Sequence, residues 1–227
     1  FMISVVAMIA LVGFELLISQ KLQYVYQYSP LQAGLYIFPF MISVSVGALV
    51  SSPLLNKFGP KKVAVVSLLL SAISMYFLSN ISLNSTYLNV VFWMILLGLS
   101  ILCAFLAATS AILSGAPIEQ AASAGAIEGM SYELGTGLGV TIFGLLASYF
   151  YMKNIDFKQY LTSEQFDIAK SSIGETYQIM SEIKPENVEQ VIASANSAFV
   201  MSHESVLVVS AWILFILSIV IGFFWKE

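Results

Sequence analysis

Hydrophobic positions along the chain fall into six long runs separated by short polar breaks. Each run is long enough to cross about 30 Å of hydrocarbon as a helix. The first covers about Phe1 to Leu22, and Tyr24, Tyr26 and Tyr28 follow it as an aromatic belt at a membrane interface would. Ser29-Pro30 reads as an N-cap with a first-turn proline and opens the second run, which ends near Lys57. Pro39 and Pro53 lie inside that run, and the backbone donor missing at each predicts a kink. Gly59-Pro60 breaks the chain before a third run from about Val63 to Leu78. In the polar loop Asn80 to Ser85, Asn80-Ile-Ser and Asn84-Ser-Thr match the N-glycosylation pattern, as polar membrane loops do by chance. The fourth run extends from about Tyr87 to Ser114 and stops at Gly115-Ala-Pro117. A fifth passes through Gly125–Gly144 to about Tyr151. The last runs from about Ser205 to Trp225, with Lys226 at its end.

The stretch between the last two runs, Met152 to Glu204, has a different pattern. Thr162-Ser-Glu-Gln165 resembles a capping box. Phe166, Ala169, Ile173, Tyr177 and Met180 follow at three- and four-residue spacing. Beyond Pro185 the pattern resumes at Val188, Val191, Ile192, Ala195 and Phe199. Two amphipathic helices are expected, packed as a hairpin outside the membrane and serving as a spacer or a gate. The expected layout is therefore five transmembrane helices in 1–151, a hairpin loop in 152–203, and a last transmembrane helix with a short tail in 204–227. The fold class is all-α, a polytopic membrane protein.

Composition agrees with this reading. Of 227 residues, 59% are hydrophobic and 10% charged, and mean hydropathy is +0.88. A soluble domain carries about 25% charged residues. A formal net charge of −4 argues against a nucleic-acid partner. Lys57, Lys61 and Lys62 cluster between the second and third runs, which makes that loop and both chain ends cytoplasmic in a plasma membrane. The stretch from Lys153 to His203 then lies outside, with four lysines against seven acids. Phe1 opens directly into an apolar run without a basic leader, so no cleavable signal peptide and a piece of a longer protein are expected.

No catalytic constellation is visible, and no enzyme is expected. One histidine and the single Cys103 make no zinc spacing and no Cys/His nucleophile. No Walker-type phosphate loop is present, so ATP-driven transport would need another subunit, and no cofactor is implied. What stands out is acidity inside apolar runs. Glu128 and Glu133 lie in the fifth run among six glycines, and Glu15 lies in the first. A carboxylate within hydrocarbon costs about 3 kcal/mol on insertion scales and marks a functional position by default. Desolvation raises a carboxyl pKa and a nearby cation lowers it again, so such a group can exchange a proton for a cationic ligand. At 100° per residue Glu128, Tyr132, Gly135 and Gly139 share one stripe. Glu133 lies about 140° away and about 7.5 Å along the axis, with Gly137 and Gly144 on its side. Glycines at four-residue spacing, Gly125 with Gly129 and Gly135 with Gly139, are expected to let helices approach closely. Tyr36, Phe40, Ser43 and Gly47 form a stripe on the second run whose aromatic rings could hold a cation. Cys103, Ala107, Ser110 and Ser114 form a small-residue stripe on the fourth, read as a helix interface.

With these residues in view, the chain resembles the C-terminal half of a major facilitator superfamily exporter, closest to the fourteen-span drug/proton antiporters of the quaternary-ammonium and methyl-viologen resistance group. The likeness rests on Tyr28-Ser-Pro-Leu-Gln-Ala-Gly-Leu-Tyr36 with Pro39, and on the glycine/basic loop motif Gly47 through Asn56-Lys-Phe-Gly-Pro-Lys-Lys62. It rests also on Ala121 to Gly144 with Glu128 and Tyr132-Glu-Leu-Gly135, on Gly13-Phe-Glu-Leu-Leu17 with Gln20, and on Ala198-Phe-Val200. Asn56 stands where the loop motif commonly has an acid, Gly129 where some relatives have a second acid, and Val44 near the acid of some divalent-cation exporters. The resemblance implies half of a major facilitator fold, six helices with an extracellular hairpin before the last. It implies proton-driven export of lipophilic cations, Glu128, Glu133 and Glu15 as coupling carboxylates, and Tyr36, Phe40 and Tyr132 along the route. Gly47, Lys57, Gly59, Lys61 and Lys62 would form the cytoplasmic loop motif. The implied partners are lipophilic cations, protons, the bilayer and the missing N-terminal half. A carrier of another small metabolite on the same fold, and a non-transporting membrane scaffold or sensor, are the alternatives.

Overall fold

The computed structural model describes residues 1–81, 87–183 and 187–225. The expected glycosylation triplet at Asn84, the break at Pro185 and Lys226 lie outside those residues. The described part contains six helices long and apolar enough to cross a membrane. α1 spans Met2–Gln20 and continues as a π-turn over Lys21–Val25. α2 spans Pro30–Phe58, α3 Pro60–Asn80, α4 Tyr87–Ser114 and α5 Ala121–Asn154. After α5 come two short helices, α6 (Ser163–Ala169) and α7 (Ile173–Ile183), and then α8, Val188–Phe224.

Local chemistry sets the boundaries. Ser29 caps α2 through a reciprocal pair: its hydroxyl accepts from the Gln32 amide at 3.3 Å, and the Gln32 side-chain oxygen accepts from the Ser29 amide at 2.9 Å. α2 then remains helical through Pro39 and Pro53 as far as Phe58. The reversal into α3 needs φ +78° at residue 59, a conformation glycine adopts without strain.

The helices form a closed circuit. α1 lies on α5 and α4, α4 on α2 and α3, α3 on α8, and α8 on α5. Lipid tails give no hydrophobic drive between helices, so close backbone approach and interhelical hydrogen bonds must hold the bundle together. Both are present. A Cβ on Gly98 of α4 would stand 2.8 Å from the Phe40 carbonyl of α2. Ser71 and Ser100 share a 2.8 Å hydrogen bond between α3 and α4. Ser218 of α8 donates to the Val65 carbonyl at 2.9 Å, and Ser202 to the Ala147 carbonyl at 2.7 Å. Phe14 and Phe40, both wholly buried with ring centroids 5.0 Å apart, fill the centre between α1 and α2.

The hairpin departs from the sequence expectation in two ways. Its first arm is two helices, because the chain turns at Lys170–Ser172 and Ser172 caps α7 by accepting from the Glu175 amide at 3.2 Å. Its second arm is the beginning of α8, which runs unbroken from Val188 into the last span. The expected apolar stripes do form the contact. Ala169, Ile173, Met180, Val191, Ala195 and Phe199 make one small core with Tyr151 and Phe157. The Thr162–Gln165 capping box is also formed. Tyr177 ties this unit to α1: its hydroxyl donates toward the Tyr24 carbonyl (2.7 Å) and Asn196 Oδ1 (3.0 Å) and accepts from Gln27 Nε2 (2.9 Å).

Candidate functional site

The glycines of α5 fix how that helix sits. A Cβ on Gly135 would meet the Met8 Cβ at 2.5 Å and the Val5 carbonyl at 2.9 Å, and one on Gly139 the Ile9 carbonyl at 3.1 Å. A Cβ on Gly13 of α1 would collide with the Phe143 ring. α1 and α5 thus run parallel in van der Waals contact, in a constant register. The second glycine pair behaves differently: a Cβ on Gly125 or Gly129 meets nothing within 4 Å, and the same holds for Gly137 and Gly144. The expectation that both pairs serve close approach within this chain therefore holds for Gly135/Gly139 only. Gly125 and Gly129 face away from α1, which packs on the other side of α5.

That register separates the three acids. Gly13 faces Phe143, so Glu15 stands level with about Leu145, roughly 25 Å along the axis from Glu128. Glu15 and Glu128 are half-buried and Glu133 is exposed. Glu133 shares the open side of α5 with Gly129, Gly137 and Gly144. Among the described residues none of the three carboxylates has an ion-pair partner, the one salt bridge being Lys170–Asp167. The hydroxyls beside them turn inward to their own helix: Ser131 donates to the Glu128 carbonyl at 2.7 Å, Thr136 to that of Tyr132 at 2.9 Å, and Thr141 to that of Gly137 at 3.0 Å. Glu133 is left as a free polar group of the open side of α5.

The aromatic candidates divide likewise. Tyr132 is 45% exposed and meets Phe105 of α4 edge-on at 6.1 Å. Tyr36 lies near the hairpin end, in an edge-on series with Tyr28 (6.2 Å) and Tyr87 (5.2 Å), and its buried hydroxyl has no partner. Phe40 is wholly buried behind that surface, against Phe14. Of the loop-motif residues, Gly47 packs on α4 with the Leu99 carbonyl 3.2 Å from its Cβ position, and Gly59 is the α2–α3 turn. Lys57 leans over the Phe58 ring at 5.2 Å. Lys61 and Lys62 occupy the first turn of α3. Gly144 opens into a cavity of about 220 Å³ under the hairpin, where Gln20, Tyr24, Ser148, Tyr151 and Ser172 supply the polar lining.

A second polar pair was not foreseen from the sequence. Lys21, in the π-turn, and His203, in α8, are each 2% exposed, and Lys21 Nζ lies 3.4 Å from His203 Nδ1. With the ammonium donating to Nδ1, the imidazole proton sits on Nε2, which is buried without a partner. Lys21 looks like an interface residue at the end of an apolar run, and His203 like the end of a polar loop. Only the 182-residue closure that sets α8 beside α1 joins them.

Comparison with known proteins gives a consistent answer. A model of the Major Facilitator Superfamily matches residues 1–155. The chain is 38% identical over 216 residues to the methyl viologen resistance protein SmvA of Salmonella typhimurium, covering 95% of this chain and 44% of that protein. It is 27% identical over 216 residues to the multidrug efflux pump LfrA of Mycolicibacterium smegmatis, covering 95% and 43% respectively. A tetracenomycin C resistance and export protein of Streptomyces glaucescens matches at 34% over 125 residues, 55% of this chain and 23% of that protein. The chain spans less than half the length of the relatives it matches.

Proposed function

The chain belongs to the Major Facilitator Superfamily, and from that premise we propose that it is the C-terminal part of a proton-coupled multidrug efflux antiporter that exports lipophilic and quaternary ammonium cations. The observation that carries the proposal is the open face of α5. There Glu133 stands among Gly129, Gly137 and Gly144, while Glu128 lies half-buried on the stripe of Gly135 and Gly139, and neither has a basic partner among the described residues. An acid on such a face can carry either a proton or a docked cation, and exchange of the two requires no more. Glu128 is assigned the principal exchange, with Glu133 and Glu15 acting at other depths. Tyr132 and Tyr36 offer ring faces to a cationic substrate, and Phe40 lies behind Tyr36. The printed names of the relatives support drug export. That of the Salmonella protein supports methyl viologen, a doubly quaternary aromatic cation, as the chemical type of the substrate.

The lysine-rich turn between α2 and α3 is assigned to the cytoplasm and the hairpin to the outside of the plasma membrane. Carriers of this superfamily rock one half against the other around a midplane site, so the upstream half is a required partner. In the full-length protein, Glu128→Gln is expected to abolish proton-driven efflux of ethidium from energised cells while leaving the amount of folded protein unchanged. Efflux at the unsubstituted rate would overturn the assignment. If, in addition, deleting 162–196 were the only change that removed function, a scaffold role would be favoured.

A further inference from the structure

A second concave surface lies on the other side of the bundle from the α5 acids. It is a groove of about 770 Å³ between α2 and α3 with α4 as its floor. Val50 and Leu54 form one wall, Val66 and Leu70 the other, and Leu99 and Cys103 the base. The only hydroxyls lining it are those of Ser67 and Ser100, and the latter is engaged by Ser71 and the Leu97 carbonyl. An apolar occupant would therefore strand little polar surface. The groove is asymmetric along its length. One end carries Lys61 and Lys62 in its lining, with Lys57 on the last turn of α2. Among the described residues none of these three lysines makes an ion pair, and no acid occurs in the sequence from Val50 to Ser85. From Lys61 to Leu70 the α3 wall runs about 13 Å, so head and tail of an amphiphile would be separated along it.

We propose that this groove is a binding site for an anionic phospholipid, its acyl chain lying against Val66, Leu70 and Leu99 and its phosphate and head group on Lys61 and Lys62. Basic side chains at the mouth of an apolar crevice between transmembrane helices select anionic over zwitterionic head groups. The same charges repel the cations proposed as export substrates, so the groove is separate from the transport route. This inference needs only that the chain is a membrane protein and does not rest on the export reading.

The test is native mass spectrometry of the purified full-length protein, titrated in mixed micelles with palmitoyl-oleoyl phosphatidylglycerol or the matching phosphatidylcholine. Phosphatidylglycerol is expected to be retained more tightly, by roughly fivefold for each contacting lysine at low salt, and less so at high salt. Lys61→Gln with Lys62→Gln should remove the preference, and Lys62→Gln alone should reduce it. Val66→Trp, which fills the groove and leaves the lysines in place, should remove retention of the tight lipid. Equal retention of the two lipids, a preference that survives the lysine changes, or a tight lipid that survives Val66→Trp would each overturn the proposal. So would loss of the preference when sn-glycerol 3-phosphate is added at equal concentration, since the site would then recognise phosphate alone. No tightly retained lipid in the unsubstituted protein would show the upstream half covering the groove, and would overturn it as well.

Discussion

Gly135 and Gly125 belong to the same helix and to pairs of the same spacing, yet they face opposite situations. Around Gly135 the backbone of α1 approaches so closely that no larger residue fits without a shift, Gly139 is nearly as tight, and the two helices run in parallel register. Around Gly125, Gly129, Gly137 and Gly144 no atom lies within reach of an added Cβ, and Glu133 stands exposed beside them. The difference shows that a glycine pair specifies permission for contact, not contact itself. What fills the space is decided by the neighbouring element, and beside Gly125, Gly129 and Gly137 no neighbour is supplied by the described residues.

The sharpest way to break this contrast is to enlarge one glycine on each side. Gly135→Val places a methyl-bearing carbon against backbone at 2.9 Å, which only a shift of the whole helix could relieve. Forced overpacking of this kind costs about 3 kcal/mol at the upper end of the usual range, and folded full-length protein in the membrane should fall accordingly. Gly137→Val should leave the folded yield near its unsubstituted level. Equal losses for the two would erase the distinction. Next in size is His203→Ala. It leaves the Lys21 ammonium buried without its acceptor, at a cost of about 1–3 kcal/mol seen as a lowered thermal midpoint in detergent. Lys21→Met combined with His203→Leu should recover most of that loss, because a well-packed apolar pair replaces a buried polar one at little cost.

A smaller effect is expected where the hairpin meets α1. Tyr177→Phe removes the hydroxyl that reaches the Tyr24 carbonyl and Asn196, a loss of about 1 kcal/mol. Burial holds the Tyr177 phenol above its ordinary pKa of 10.0, against the opposing pull of its hydrogen bonds to Asn196 and Gln27. The folded state thus favours the protonated phenol. Its contribution is fully present below pH 10 and is lost as the pH rises through the elevated folded value. Proteolytic release of the hairpin should show that alkaline dependence, and Tyr177→Phe should flatten it. Least of all, Gly129→Ala should change the thermal midpoint by no more than the gain of about 1 kcal/mol that alanine brings to a helix. If the open face works in transport, the same change should still slow ethidium efflux. A midpoint that drops instead would mean the face is already packed.

How much of this was legible beforehand depended on how local the cause was. Hydropathy alone located all six spans, because a backbone in lipid must satisfy itself within a helix. The Thr162 cap and the Ser29–Pro30 start were also readable, since a cap involves residues three apart. The apolar stripe from Val188 to Phe199 was visible but was assigned to a separate arm. Glu189 and Glu204 interrupt the apolar run, whereas exposed polar residues on the outer side of a helix do not end it. The acids were found because charge in an apolar run is conspicuous. Their separation was not, because it follows from the α1–α5 register, which the sequence does not state. The Lys21–His203 pair required knowing that helices far apart in the chain lie side by side.

The continuity of α8 gives the hairpin a mechanical meaning. At 1.5 Å per residue the helix is about 55 Å long, and the part from Val188 to Glu204 alone accounts for about 25 Å of it. A rod of that kind converts angle into distance: a 10° tilt of the membrane-embedded portion would sweep its far tip sideways by about 4 Å. At Asn196, about 12 Å from that tip, α8 is fastened through Tyr177 to the Tyr24 carbonyl at the end of α1, so rotation of either helix is transmitted to the other. A dye pair on the hairpin and on the loop after α1 would read the tilt of the last helix.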